Sequence, residues 1–225
     1  MTCEACKTIP PVVVNNYLTK GTWASISGLK TYITGSPNSK KAIIDIYDVF
    51  GLASQTLQGA DLLAAATGAV VFVPDFLHGE VAREEWFTSK DPVHEEAKKK
   101  FFGILGLEEN VGKLRGFLEG IAVLASGPGT SLKVSGQVHP GRLEADDAKK
   151  IVIPHIVLAS NGEDEKVVAE YKEILVGEGK PHVVETYANM HHGWMGARAK
   201  LDDAENLKEY ERGYNELAAF FDKYL

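Results

Sequence analysis

The chain has few cysteines, no excess of positive charge and no long apolar run. Its only two cysteines are Cys3 and Cys6, in "CEAC". A redox C-x-x-C opens a helix beside a βαβ unit, and nothing here does that. A zinc site needs a second ligand pair at suitable spacing, and the adjacent His191 and His192 do not supply one. Neither a redox nor a zinc role is therefore read for this pair, and the two thiols are read as lying on a loose N-terminal arm, residues 1–20. With 24 basic and 31 acidic residues, the net charge is −7. That disfavours nucleic acid or an anionic membrane as partner, since both require a basic face. No apolar run approaches the roughly 20 residues of a membrane span. The start "MTCEACKTIPPVVV" lacks a basic stretch followed by an apolar one, so no secretory signal is read and the expected compartment is the cytosol.

What is present is an ordinary globular composition, 44% apolar and 24% charged over 225 residues, which suits one domain over 1–225 with a large core. There is no internal repeat. "GTWASISGLKTYITGS" has two alternating segments around Gly28, the pattern of a hairpin. "KAIIDIYDVFG" and "AVVFVPD" are apolar and β-branched, as in strands buried on both faces. Between them "SQTLQGADLLAAATG" has helical spacing, with Ser54 as a candidate cap and Gly68 as the stop. "DPVHEEAKKKFFGILGLEENVGKLRGFLEG" reads as helices covering the sheet. Then come a strand ("VSGQVHP"), a short helix ("EADDAKK"), a strand ("PHIVLASNG"), a helix ("EDEKVVAEYKEILVGEG") and a strand ("PHVVETYANMHHGW"). The terminal helix carries an apolar stripe at Leu207, Tyr210, Tyr214, Leu217 and Phe221. Such alternation makes a parallel α/β sheet flanked by helices. Ligands in such sheets sit at the carboxyl ends of strands. The informative residues are therefore Asp48, Asp75, His78, His139, Asp164 and His192.

Two of these stand out. "LASNGEDEK" puts acids in the turn after a late strand, and "YANMHHGWMGAR" puts a histidine in the loop after the last one. Acid then histidine on successive strand ends is the order of an α/β-hydrolase triad. There a neutral imidazole accepts the nucleophile's proton, and a buried carboxylate fixes its tautomer. Taken singly, Asp164 is a helix N-terminal acid favoured by the dipole, His192 a loop histidine, Asp75 a turn residue and His139 the end of a strand. With "IYDVFG", "VPDFLHG", "QVHPG", "ASNGED" and "MHHGWMGAR" in this order, the chain resembles the dienelactone hydrolase family, its fungal branch above all, over nearly the whole length. The resemblance implies an α/β-hydrolase fold and cofactor-free hydrolysis of a small ester or lactone by a Cys (or Ser), a His and an Asp. It implies His192 as the catalytic histidine and Asp164 as the acid, with Glu163 competing, and so a hydrogen bond between His192 and Asp164. His191 is then a supporting residue. Asp48 falls where the family carries a glutamate near the thiol, and His78 where it carries an arginine. Arg198 lies near where it holds a substrate carboxylate. Trp194 and Trp86 are candidate pocket walls, against plain packing.

The nucleophile is missing from this pattern. Neither G-x-C-x-G nor G-x-S-x-G occurs anywhere, although a nucleophile elbow needs such small neighbours. Ser160 lacks the leading glycine, and Ser126 lies past the required position. In the resembling family "IAVLASG" is the helix behind the elbow; here Gly120 precedes it. Val111, Leu114, Leu118, Ile121 and Ala125 keep helical periodicity across this junction. A helix is expected through it, with no strand between "IIDIY" and "SGQVH" and no Cys or Ser in elbow geometry beside His192. Two readings remain: an ester or lactone hydrolase, or a catalytically inactive member that binds a small molecule or a protein.

Overall fold

The computed structural model describes residues 10–12, 16–104, 132–141, 143–177 and 181–225. The junction at Gly120, the stripe from Val111 to Ala125, Ser126 and both cysteines lie outside the described residues. Strands β1 (Thr22–Ile26) and β2 (Leu29–Thr34) form the expected antiparallel hairpin. Its two turn residues, Ser27 and Gly28, have φ of 50° and 79°, as a two-residue hairpin turn that follows the strand twist requires. β2 runs antiparallel to β4 (Val70–Pro74), and β4 runs parallel to β3 (Ala42–Ile44). A second sheet holds β5 (Ser135–Val138), β6 (His155–Ser160) and β7 (His182–Tyr187), all parallel.

Six helices are described: α1 (Ser54–Thr67), α2 (Glu85–Thr88), α3 (Pro92–Ile104), α4 (Ala145–Ala148), α5 (Glu165–Gly177) and α6 (Ala204–Tyr224). Gly68 closes α1 in the left-handed conformation, φ 66°, as expected. Ser54 does not cap it: Ala53 holds the N-cap position, and Ser54 is the first helical residue. Asp203 caps α6 by accepting from the Asn206 N–H at 2.8 Å. Of the expected stripe on α6, Tyr210, Tyr214 and Leu217 are buried, while Leu207 and Phe221 are half-buried. No helix among the described residues is long and apolar enough to cross a membrane.

"KAIIDIY" is regular for only three residues. β3 pairs with β4 on one side, and the last ladder-like bond on that side is Asp45 N–H to the Phe72 carbonyl at 2.9 Å. Among the described residues, β3 ends one sheet and β5 begins the other, with no pairing between them. The question of a strand between "IIDIY" and "SGQVH" falls partly on residues 105–131, outside the described residues. One apolar cluster joins the sheets: Val71 and Val73 from β4, Ile156 and Leu158 from β6, and Tyr210 and Tyr214 from α6.

The described part of the N-terminal arm is not loose. Val12 donates its N–H to the Ala197 carbonyl at 2.8 Å and accepts from the Gln55 side chain at 2.8 Å. Asp61, 2% exposed, takes the Tyr17 hydroxyl at 2.6 Å, the Lys20 N–H at 3.1 Å and the Tyr32 hydroxyl at 2.8 Å. Burial pushes the Asp61 carboxyl up, but bonds from Thr34, Tyr17, Tyr32 and Lys20 outweigh it and hold it below the usual carboxylate range. Asp61→Ala strips four donors, from Tyr17, Lys20, Tyr32 and Thr34, of their acceptor. Each buried orphan costs about 1–3 kcal/mol, so a loss of about 3 kcal/mol is expected in urea denaturation. A loss below about 0.5 kcal/mol, the range of ordinary surface changes, would show that Asp61 does not anchor the arm.

Candidate active site

The site is assembled where β6 and β7 end. Their register pairs Ser160 with Tyr187, so the segments that follow leave the sheet side by side. The Asn161 N–H bonds the Met190 carbonyl at 2.9 Å and ties them together. On one segment Glu163 turns inward, and on the other His192 meets it: Nδ1 lies 2.7 Å from Glu163 Oε1. Both side chains are buried, His192 to 3% exposure. Ser160 completes the cradle, its N–H donating to Glu163 Oε2 and its hydroxyl to Oε1 at 3.1 Å. An ionised carboxylate only accepts, so His192 Nδ1 carries the proton and Nε2 is the unprotonated nitrogen.

The expected bond between His192 and Asp164 is not made. Asp164 is exposed and accepts the N–H groups of Lys166 and Val167 at 2.9 and 3.3 Å, which caps the first turn of α5. The turn gives its two adjacent acids opposite directions, and the competing residue, Glu163, takes the buried one. Ser160 supports this acid from beneath, consistent with its lack of an elbow glycine.

The loop holding His192 is tightly folded. Gly193 has φ 89°, and a Cβ there would stand 2.7 Å from the Arg198 side chain. This explains the glycine after the histidine: the conformation and the close approach both exclude a side chain. His191 donates from Nε2 to the Arg198 carbonyl at 3.0 Å, the supporting role expected of it. Arg198 is 1% exposed, with its guanidinium 4.5 Å over the Phe50 ring. It acts on Asp48 rather than facing outward: burial raises the Asp48 carboxyl, while the Phe50 N–H, the Arg198 charge and the Ala197 N–H oppose that rise. The structure thus places the expected substrate-binding arginine in a buried position over Phe50.

Two further expected residues are placed as follows. His78 is exposed on a tight turn with φ 52°, its N–H bonded to the Asp75 carbonyl, and is not among the residues that line the cavity beside the site. Trp194 is fully buried and stacks on Tyr187 at 4.3 Å; Trp86 packs on Phe101. Both are packing residues. Asp75 accepts the Tyr47 hydroxyl at 2.6 Å and is structural. His139, read as the end of a strand, is closer to the chemistry. Its ring meets that of His192 edge-on at 5.3 Å. Burial, then the neighbouring His192, pushes its pKa down to about 3, so it stands there neutral. Its place after β5 was the available sequence signal. No group of three or more His, Cys, Asp or Glu among the described residues is arranged to hold a metal ion.

The dienelactone hydrolase family pattern matches residues 29–225. The chain belongs to the dienelactone hydrolase family. An AIM2 family protein of Schizosaccharomyces pombe is 36% identical over 222 residues, covering 87% of this chain and 88% of the yeast protein. The dienelactone hydrolase of Anabaena variabilis shares the fold, with TM-score 0.58 and 12% identity over 92% of this chain and 98% of its own. A Klebsiella pneumoniae protein assigned as a dienelactone hydrolase has TM-score 0.65 and 14% identity, covering 92% of this chain and 100% of its own. The fold is that of the α/β-hydrolases, and family membership supports a hydrolase-type function for this chain.

His139 generates a pH prediction. Its folded pKa of about 3 lies below the ordinary histidine value of about 6.5. Between these limits the unfolded chain binds the extra proton, so His139 destabilises the fold increasingly as pH falls below about 6.5. Asp45, raised to about 7 by burial and by Asp48, works in the opposite sense, so the comparison with a variant isolates the histidine. In urea titrations between pH 7 and pH 4.5, His139→Gln should lose less stability than the parent. Parallel curves would refute the shift.

Proposed function

We propose that the chain hydrolyses small esters or lactones, with His192 as general base and Glu163 as the carboxylate that orients it. The observation that carries this reading is the buried 2.7 Å contact between His192 Nδ1 and Glu163 Oε1, placed where parallel strands end. Glu163 leaves Nε2 as the basic nitrogen and stabilises the imidazolium once it forms. The neutral His139 ring beside it adds no opposing charge.

With no elbow motif in the sequence, the attacking oxygen in this proposal is a water's. His192 Nε2 takes a proton from that water as its oxygen bonds to the carbonyl carbon. The tetrahedral oxyanion collapses, the ester C–O bond breaks, and the leaving alkoxide takes the proton from the imidazolium. A lactone opens to a hydroxy acid, and an ester gives an acid and an alcohol. No acyl-enzyme forms on this route. The same missing motif favours a second reading, an inactive family member that binds a ligand without turning it over.

p-Nitrophenyl acetate hydrolysis, followed with a fluorophosphonate or iodoacetamide probe and intact mass, separates these readings. On the proposal the chain hydrolyses the ester without a burst and gains no active-site adduct. His192→Ala lowers the rate by roughly 10²–10⁴-fold, the usual contribution of a general base. Turnover no faster than that of His192→Ala would leave the binding reading. A burst with a labelled residue would replace water by a protein nucleophile.

A further inference from the structure

Between β3 and β5 lies a cavity of about 370 Å³, within the size range of small-molecule sites. Its walls differ. Leu63 from α1, Leu217 and Phe221 from α6, and Met195 make one side apolar. Asp45, Asp48 and Thr56 also line it, and each brings a buried oxygen with no hydrogen-bond partner among the described residues: Asp45 Oδ2, Asp48 Oδ2 and Thr56 Oγ1. Thr56 is 5% exposed, so its hydroxyl has little recourse to bulk water. Buried oxygens of this kind are costly unless a donor reaches them.

The charges around the cavity do not balance. Among the described residues that line it there is no lysine or arginine. Arg198 offsets Asp48 from behind. His139, at the same end, is neutral because burial depresses its pKa. Asp45 has no such partner, and its burial beside Asp48 raises its pKa. Among the described residues no cation faces Asp45, and a cation bound there would favour its ionised form. A Cβ placed on Gly196 would lie 3.0 Å from Asp48 Oδ2 and 3.5 Å from His139 Nε2, so the acidic end of the cavity adjoins His139.

We propose that this cavity binds a small organic cation, a primary ammonium group on an apolar body. An ammonium is a donor only, with three N–H groups, and three oxygens on the lining residues have no partner among the described residues. Its charge favours the ionised form of Asp45, and its apolar body packs against Leu63, Leu217 and Phe221. A carboxylate or phosphate ligand is repelled by the same two aspartates. A neutral alcohol supplies one donor and no charge. This is a statement about binding and holds whether or not His192 catalyses hydrolysis.

The test uses three ligands of one shape, benzylammonium, benzyl alcohol and benzoate, titrated calorimetrically into the full chain, with thermal shift alongside. Benzylammonium should bind about tenfold or more tightly than benzyl alcohol and raise Tm, while benzoate should not bind. Asp45→Asn keeps the shape and removes the charge. It should weaken benzylammonium about tenfold or more and leave benzyl alcohol within about twofold. Equal binding of the three ligands, or no binding of any up to about 10 mM, overturns the proposal without a variant. So does an Asp45→Asn chain that folds, by circular dichroism, and binds benzylammonium as the parent does.

Discussion

A carboxylate buried against an imidazole is the contact on which the rest of the site depends. Taking either charge out of water is expensive unless the groups around it supply hydrogen bonds. Glu163 has them: the Ser160 N–H and hydroxyl on one side and His192 Nδ1 on the other. The pair is possible because β6 and β7 are parallel neighbours, so that two segments far apart in sequence emerge at the same height. The bond from Asn161 to Met190 fixes their separation. The depth of the contact also fixes its chemistry, since the carboxylate dictates which ring nitrogen is basic.

The surrounding polar groups hold this arrangement rather than reach for a ligand. Arg198 is stacked on Phe50, faces the backbone of Gly193 and offsets Asp48. His191 holds the Arg198 carbonyl. Together they shape the loop that presents His192. The cavity beside the site has Asp45 and Asp48 among its lining residues.

Much of this was legible in the sequence. Alternation gave the hairpin around Gly28, the order of strands and helices and the stop at Gly68, because each depends on local patterning. The histidine was legible through its place after the last strand. The choice between Glu163 and Asp164 was not, because adjacent residues in a turn differ only in direction, which tertiary packing decides. The burial of Arg198 was hidden for a related reason: sequence shows that an arginine stands beyond the histidine, but not that its side chain packs against Gly193. "KAIIDIY" looked like a full strand because its apolar run is continuous, yet pairing on one side sustains only Ala42–Ile44. Nor could composition show that residues 10–12 and 16–20 are tied down, since that rests on Gln55 and Asp61 in a distant helix.

The central claim is that Glu163, and not Asp164, holds the proton on His192 Nδ1. Nitrogen-15 NMR of histidine-labelled protein tests it directly. The His192 ring should show a protonated Nδ1 and an unprotonated Nε2, with a low-field Nδ1 proton, at neutral pH. Asp164→Asn should leave those signals in place, and Glu163→Gln should shift or abolish them. Signals lost in Asp164→Asn and kept in Glu163→Gln would contradict the account.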